Sequence, residues 1–71
     1  YLEYLTRTYS ELSTSDLKLC TFLRMNLNTK EIADIMGLSV RSVESRRYRL
    51  RKKINLSKDQ DLVSFLIKLE Y

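Results

Sequence analysis

The sequence predicts a small all-α bundle built around a helix-turn-helix, and three observations point there. Pro is absent and Gly occurs once, at Gly37, so tight hairpins lack the residues they need and helices meet few breakers. Apolar residues recur at helical spacing in five separate stretches. Positive charge is concentrated on one of those stretches. Of 13 Lys and Arg residues, seven lie between Arg41 and Lys53: Arg41, Arg46, Arg47, Arg49, Arg51, Lys52 and Lys53. With the single acid Glu44 that segment carries a net +6, while the rest of the chain sets six basic against eight acidic groups.

The expected helices cover about 1–9, 14–25, 29–36, 40–54 and 58–69, read from apolar periodicity and its punctuation. The first carries the stripe Leu2, Leu5 and Tyr9. The second follows Ser13, a capping side chain with the acid Asp16 three residues on, and bears Leu19, Cys20 and Leu23. The third opens on the capping-box pattern Asn28-Thr29-Lys30-Glu31 and bears Ile32, Ala33 and Met36. It ends at Gly37, the residue freest to take positive φ as a helix stop. The fourth is capped by Ser39 and bears Val43, Leu50 and Ile54. The fifth follows the capping box Ser57-Lys58-Asp59-Gln60 and bears Leu62, Val63, Leu66 and Leu69, with Phe65 beside them. Asn26 and Asn55 fall between periodic segments and are the next residues suited to a left-handed turn.

A chain of 71 residues is a single small domain with a modest core. The lone Cys20 makes no internal disulfide and His is absent, so neither a disulfide framework nor a zinc site is expected, and a reducing, cytoplasmic setting fits. No apolar run is long enough to span or anchor in a membrane. Asn55-Leu56-Ser57 matches a glycosylation acceptor by chance in such a chain. An enzyme is not expected: there is no His, no Gly-rich phosphate loop and no acid pair in an apolar setting. No cofactor is implied.

A short capped helix, a turn containing Gly37 and a long basic helix make the helix-turn-helix layout. On a wheel of about 100° per residue, Val43, Leu50, Ile54, Val40 and Arg47 share one side of the basic helix. Arg41, Ser45, Tyr48 and Lys52 occupy the opposite pole, flanked by Glu44 and Arg49. The apolar side packs inward. The polar side presents groups that suit the major groove, where Arg and Lys donate to guanine edges and Ser bonds several bases. Basic groups at the flanks suit phosphates. A merely solvated basic face is the plainer alternative, but the preceding helix and Gly turn favour double-stranded DNA. Arg47 lies near the apolar stripe, where an acid such as Asp16 or Glu31 would hold it for structure; a DNA contact is the other reading.

The run Leu12-Ser13-Thr14-Ser15-Asp16 with Leu19, Cys20, Leu23 and Leu27 resembles the opening of the LuxR-type (GerE-like) helix-turn-helix domain. Thr29-Lys30-Glu31-Ile32-Ala33-Asp34-Ile35-Met36-Gly37-Leu38-Ser39 resembles its second helix and turn. Ser42-Val43-Glu44-Ser45-Arg46-Arg47-Tyr48-Arg49-Leu50-Arg51-Lys52-Lys53-Ile54 resembles its recognition helix. The resemblance runs from about Leu12 to Leu66 and implies the effector domain of a bacterial transcriptional regulator. It implies base contacts near Glu44, Ser45 and Tyr48, and backbone contacts from Lys30, Arg41, Arg49 and Lys52. It also implies an upstream sensor or receiver domain, as in response regulators, and a homodimer formed on DNA through helix 58–69. The domains would then be an N-terminal helix, 1–11, leading from that upstream module, and the DNA-binding unit, 12–71.

The chain departs from the family pattern at Glu44 and Arg46, which stand where a basic residue and a His are common; a different target sequence follows. Leu17 stands where a polar residue is usual, and the stripe of the first helix is its expected partner. Two other readings share the layout. One is the promoter-reading region of a sigma factor, which usually finishes near the recognition helix. The other is a dimerisation module without DNA binding, which leaves the focused charge unexplained.

Overall fold

A computed structural model describes residues 2–57 and 59–69. It contains five helices and, among the described residues, no strand: α1 (Leu2–Thr8), α2 (Thr14–Arg24), α3 (Thr29–Met36), α4 (Val40–Lys53) and α5 (Leu62–Ile67). Tyr1 and Lys58, the expected first residues of two helices, lie outside the described residues.

Sequence punctuation sets the starts. Ser13 and Asp16 form a reciprocal capping box: the Asp16 N–H donates to Ser13 Oγ at 3.2 Å and the Ser13 N–H to Asp16 Oδ2 at 2.9 Å. Asn28 and Glu31 repeat the device on α3, at 2.8 and 2.9 Å. Ser39 Oγ accepts the Ser42 N–H at 3.1 Å and caps α4. Each cap satisfies donors that the first turn of a helix leaves without partners.

The stops of α2, α3 and α4 share one construction. Asn26, Gly37 and Asn55 take the left-handed conformation at φ of 63°, 68° and 59°. Leu follows each, and the N–H of Leu27, Leu38 and Leu56 donates to a carbonyl five residues back, on Phe22, Ala33 and Arg51. This is the Schellman arrangement, and all three leucines pack on the core as its apolar contact. At Gly37 an added Cβ would meet nothing within 4 Å. Positive φ is therefore the requirement there, and space is not.

Helix α5 is shorter than the expected 58–69. Gln60 does reach back, its Oε1 accepting the Ser57 N–H at 3.1 Å, but the Gln60 N–H returns to the Ser57 carbonyl and closes a single turn. Asp61 is extended, and its carboxylate accepts the Ser64 N–H at 2.8 Å. Asp61, not Ser57, thus caps the last helix, and that hydrogen bond holds its carboxyl below the usual carboxylate value.

The core gathers Leu5, Leu19, Cys20, Leu23, Ile32, Val43, Leu50 and Leu66, each with no exposed surface. Helix α3 packs on α4, α5 on α2, and α2 also touches α4. The last helix therefore covers α2 chiefly. Helix α1 contributes Leu5, with Tyr4, Tyr9 and Leu17 packed against the cluster, so Leu17 and α1 meet the same core. Leu2 stays 45% exposed and Tyr4 turns inward in its place. Val40, placed by the wheel near the apolar side, is 44% exposed, because it begins α4 beyond the reach of the core. The Cys20 thiol is pushed up to about 12 by burial, reinforced by the nearby Asp16 charge, and serves as a small apolar residue.

One ion pair joins the ends of the bundle. Lys53 Nζ, at the end of α4, donates to Asp16 Oδ2, at the start of α2, at 2.6 Å. Burial alone would raise the Asp16 carboxyl; the Lys53 ammonium and the Ser13 donors outweigh it and hold the group below its ordinary value.

Two consequences are measurable. Leu50→Ala removes a wholly buried side chain and is expected to cost about 2–5 kcal/mol, read as a lower midpoint in thermal or urea unfolding. Asp16→Asn is expected to cost about 1–3 kcal/mol at pH 6 through the lost charge-assisted bonds. Because the folded-state pKa is depressed, the stabilisation is present above the unfolded carboxylate pKa and is lost as pH falls through the folded one. Melts of wild type and variant should therefore converge as the pH drops below about 4.

Candidate nucleic-acid interface

Helix α4 carries the charged segment, and six of its seven cations, all but Arg46, divide into two sets. Three are engaged by the fold. Lys53 holds Asp16. Arg51 Nη2 donates to the Ser57 carbonyl at 2.7 Å and pins the chain leaving α4. Arg47, half-buried, donates from Nη1 to Thr29 Oγ1 at 3.1 Å, tying α4 to the first turn of α3. Arg47 is thus a structural link, as one reading of the sequence held, but its partner is a hydroxyl. The acid proposed for it, Asp16, is taken by Lys53, and Glu31 is occupied in its capping box.

The other set faces outward. Arg41, Glu44, Ser45, Tyr48, Arg49 and Lys52 are all exposed. Arg41, Glu44, Ser45, Tyr48 and Arg49 line one shallow depression along the outer face of α4. A neighbouring depression adds Ser39, Ser42 and Arg46 to Arg41, Ser45 and Arg49. Lys52 joins through Tyr48: its Nζ sits 4.6 Å from the ring centroid, a cation–π contact one helical turn along. The ring it touches is 60% exposed. Lys30 is exposed in the first turn of α3, on a different element from the residues that line these depressions.

Two residues were not singled out as contacts by sequence reasoning. Arg46, half-buried, borders the second depression and a cleft shared with Ser13, Asp16, Arg49 and Lys53. Val40 exposes an apolar group at the start of α4. Both sit at the margins of the wheel's apolar side, where periodicity alone does not decide direction. The position of Arg46 on the resembled recognition helix was the available signal.

The face is suited to anions and to polar edges. Guanidinium groups donate in a fixed fork that matches phosphate and guanine, a hydroxyl bonds in either sense, and a carboxylate only accepts. The N-terminus of α4 adds partial positive charge, with no acid in its first turn to offset it. Among the described residues no three His, Cys, Asp or Glu side chains gather as a metal site. No helix of the described residues is long and apolar enough to cross a membrane.

The family model GerE, bacterial regulatory proteins of the luxR family, matches residues 11–66, which takes in α2, α3, α4 and nearly all of α5. No curated protein and no solved structure matches the chain. The matched span covers most of the sequence, and the chain therefore belongs to the luxR family of bacterial regulatory proteins, whose helix-turn-helix domain binds DNA.

Proposed function

We propose that α4 enters the major groove of double-stranded DNA and reads sequence, as the effector of a bacterial transcriptional regulator. Glu44, Ser45 and Tyr48 face base edges; Lys30, Arg41, Arg49 and Lys52 meet phosphates. The observation that carries this reading is the division of cations on α4. Those facing the bundle are engaged by Asp16, Thr29 and the Ser57 carbonyl, while Arg41, Arg49 and Lys52 stand on an open face beside a hydroxyl, a carboxylate and an aromatic ring. A solvated helix has no need of that separation.

Residues 12–71 form the DNA-binding unit in this reading, and 1–11 link it to an upstream sensor or receiver module. The burial of Leu5 in the same core supports a link that is docked on the domain. Two copies pair on DNA through α5, whose Leu62 and Leu66 are committed to the core while Ile67 remains 48% exposed and Val63 half-buried. So small an edge suits pairing only when DNA or an upstream module holds the copies together.

Binding to duplex DNA should weaken with salt, log K falling by about 0.9 per log salt for each of roughly four to seven phosphate contacts. Tyr48→Ala and Ser45→Ala should change sequence preference, whereas Lys30→Ala and Arg49→Ala should weaken all duplexes alike. Lys52→Ala should show both effects, since its ammonium also touches the Tyr48 ring. A flat salt dependence would remove the DNA-binding reading.

Sedimentation checks the pairing. The chain alone should be monomeric at micromolar concentration, with two copies on a duplex whose half-sites lie one helical turn apart. Ile67→Lys should leave the melting temperature unchanged and reduce the second binding step. Saturation at one copy, whatever the half-site spacing, would rule pairing out.

A further inference from the structure

Glu44 is the one acid among the seven cations between Arg41 and Lys53. It is exposed and lines the depression on α4 with Arg41, Ser45, Tyr48 and Arg49. Four other carboxylates are engaged, Glu3 with Arg7, Asp16 with Lys53, Glu31 with the Asn28 N–H, and Asp61 with the Ser64 N–H, while the exposed Glu11, Asp34 and Asp59 lie off the α4 face. Glu44 accepts no hydrogen bond and joins no ion pair among the described residues, although Arg41 lies one turn before it on the same helix. The carboxylate is thus unpaired on a face otherwise suited to anions.

Such a group has a definite chemical consequence. It repels every phosphate, and it accepts hydrogen bonds without donating any. Of the major-groove edges, guanine shows two acceptors, thymine an acceptor and a methyl, and adenine an acceptor beside its amino group. Cytosine alone shows a donor, its N4 amino group, with no acceptor next to it on the same base. An unpaired carboxylate is therefore satisfied by cytosine and is left desolvated and unpartnered against guanine or thymine, a penalty that sharpens discrimination.

We propose that Glu44 is a specificity-determining residue of the α4 surface: it selects a cytosine by accepting from its N4 amino group, and lowers affinity for duplexes that lack cytosine there. This deepens the DNA-binding reading of α4 and rests on it.

The test is selection from random duplex DNA with the wild-type chain, Glu44→Gln and Glu44→Ala, followed by titration of selected and unrelated duplexes at low and moderate salt. Wild type should select a motif with one C·G pair whose replacement weakens binding about tenfold. Glu44→Gln should move the preference at that position to adenine, whose N6 and N7 suit a glutamine amide. Glu44→Ala should flatten it. Both variants should bind unrelated duplexes several-fold more tightly than wild type and melt at an unchanged temperature. If the three proteins select the same motif with the same discrimination, the inference about Glu44 falls while DNA binding stands. If the wild-type chain binds no duplex at low salt, the DNA-binding reading falls and takes this inference with it.

Discussion

The outward face of α4 exists because its inward face is anchored. Val43 and Leu50 lie two helical turns apart on one side of the helix and are wholly enclosed. A helix rotated by one residue would move both about 100° away from the core and bring charged neighbours inward, where unpaired ions are costly. The apolar pair therefore fixes which side chains meet solvent. Every polar feature of the interface, from Arg41 at one end to Lys52 at the other, inherits its direction from that constraint.

The charge segregation is maintained by specific contacts and not by periodicity alone. Lys53 is paired with the Asp16 carboxylate, while Arg51 and Arg47 keep their charge and donate to neutral oxygens, so each is tied to a different part of the bundle: the start of α2, the chain leaving α4, and the start of α3. The same cations that raise the net charge of the segment thus act as braces, and the outward face keeps a defined composition. The Asp16 carboxylate is central to this arrangement. It serves its own helix through Ser13 and α4 through Lys53, so one side chain aligns two elements.

Much of this was legible in the sequence. Capping residues and left-handed stops located α2, α3 and α4 to within a residue or two, because those signals act over a few positions and depend little on the rest of the fold. The outer pole of α4 followed from helical geometry once Val43 was taken as its inner reference. Less local features were not legible. Ser57 and Asp61 both offer a cap, and only the packing of Leu62 and Leu66 on α2 decides between them. The partner of Arg47 depends on which acid another lysine reaches first. Val40 and Leu2 occupy helix ends, where the expected side is known but the extent of the covering core is not.

The three stops after α2, α3 and α4 separate architecture from recognition. Helix lengths and the turns between them are set by Asn26, Gly37 and Asn55 and by the leucines that follow. None of these six residues lines the depression on the outer face of α4. Substitutions at Glu44, Ser45 or Tyr48 therefore change the chemistry offered to a partner without disturbing the hinges of the bundle. Descendants of such a chain are free to diverge in what they recognise while the scaffold stays the same, and the same scaffold offers itself to laboratory reprogramming by exchange of a few exposed side chains.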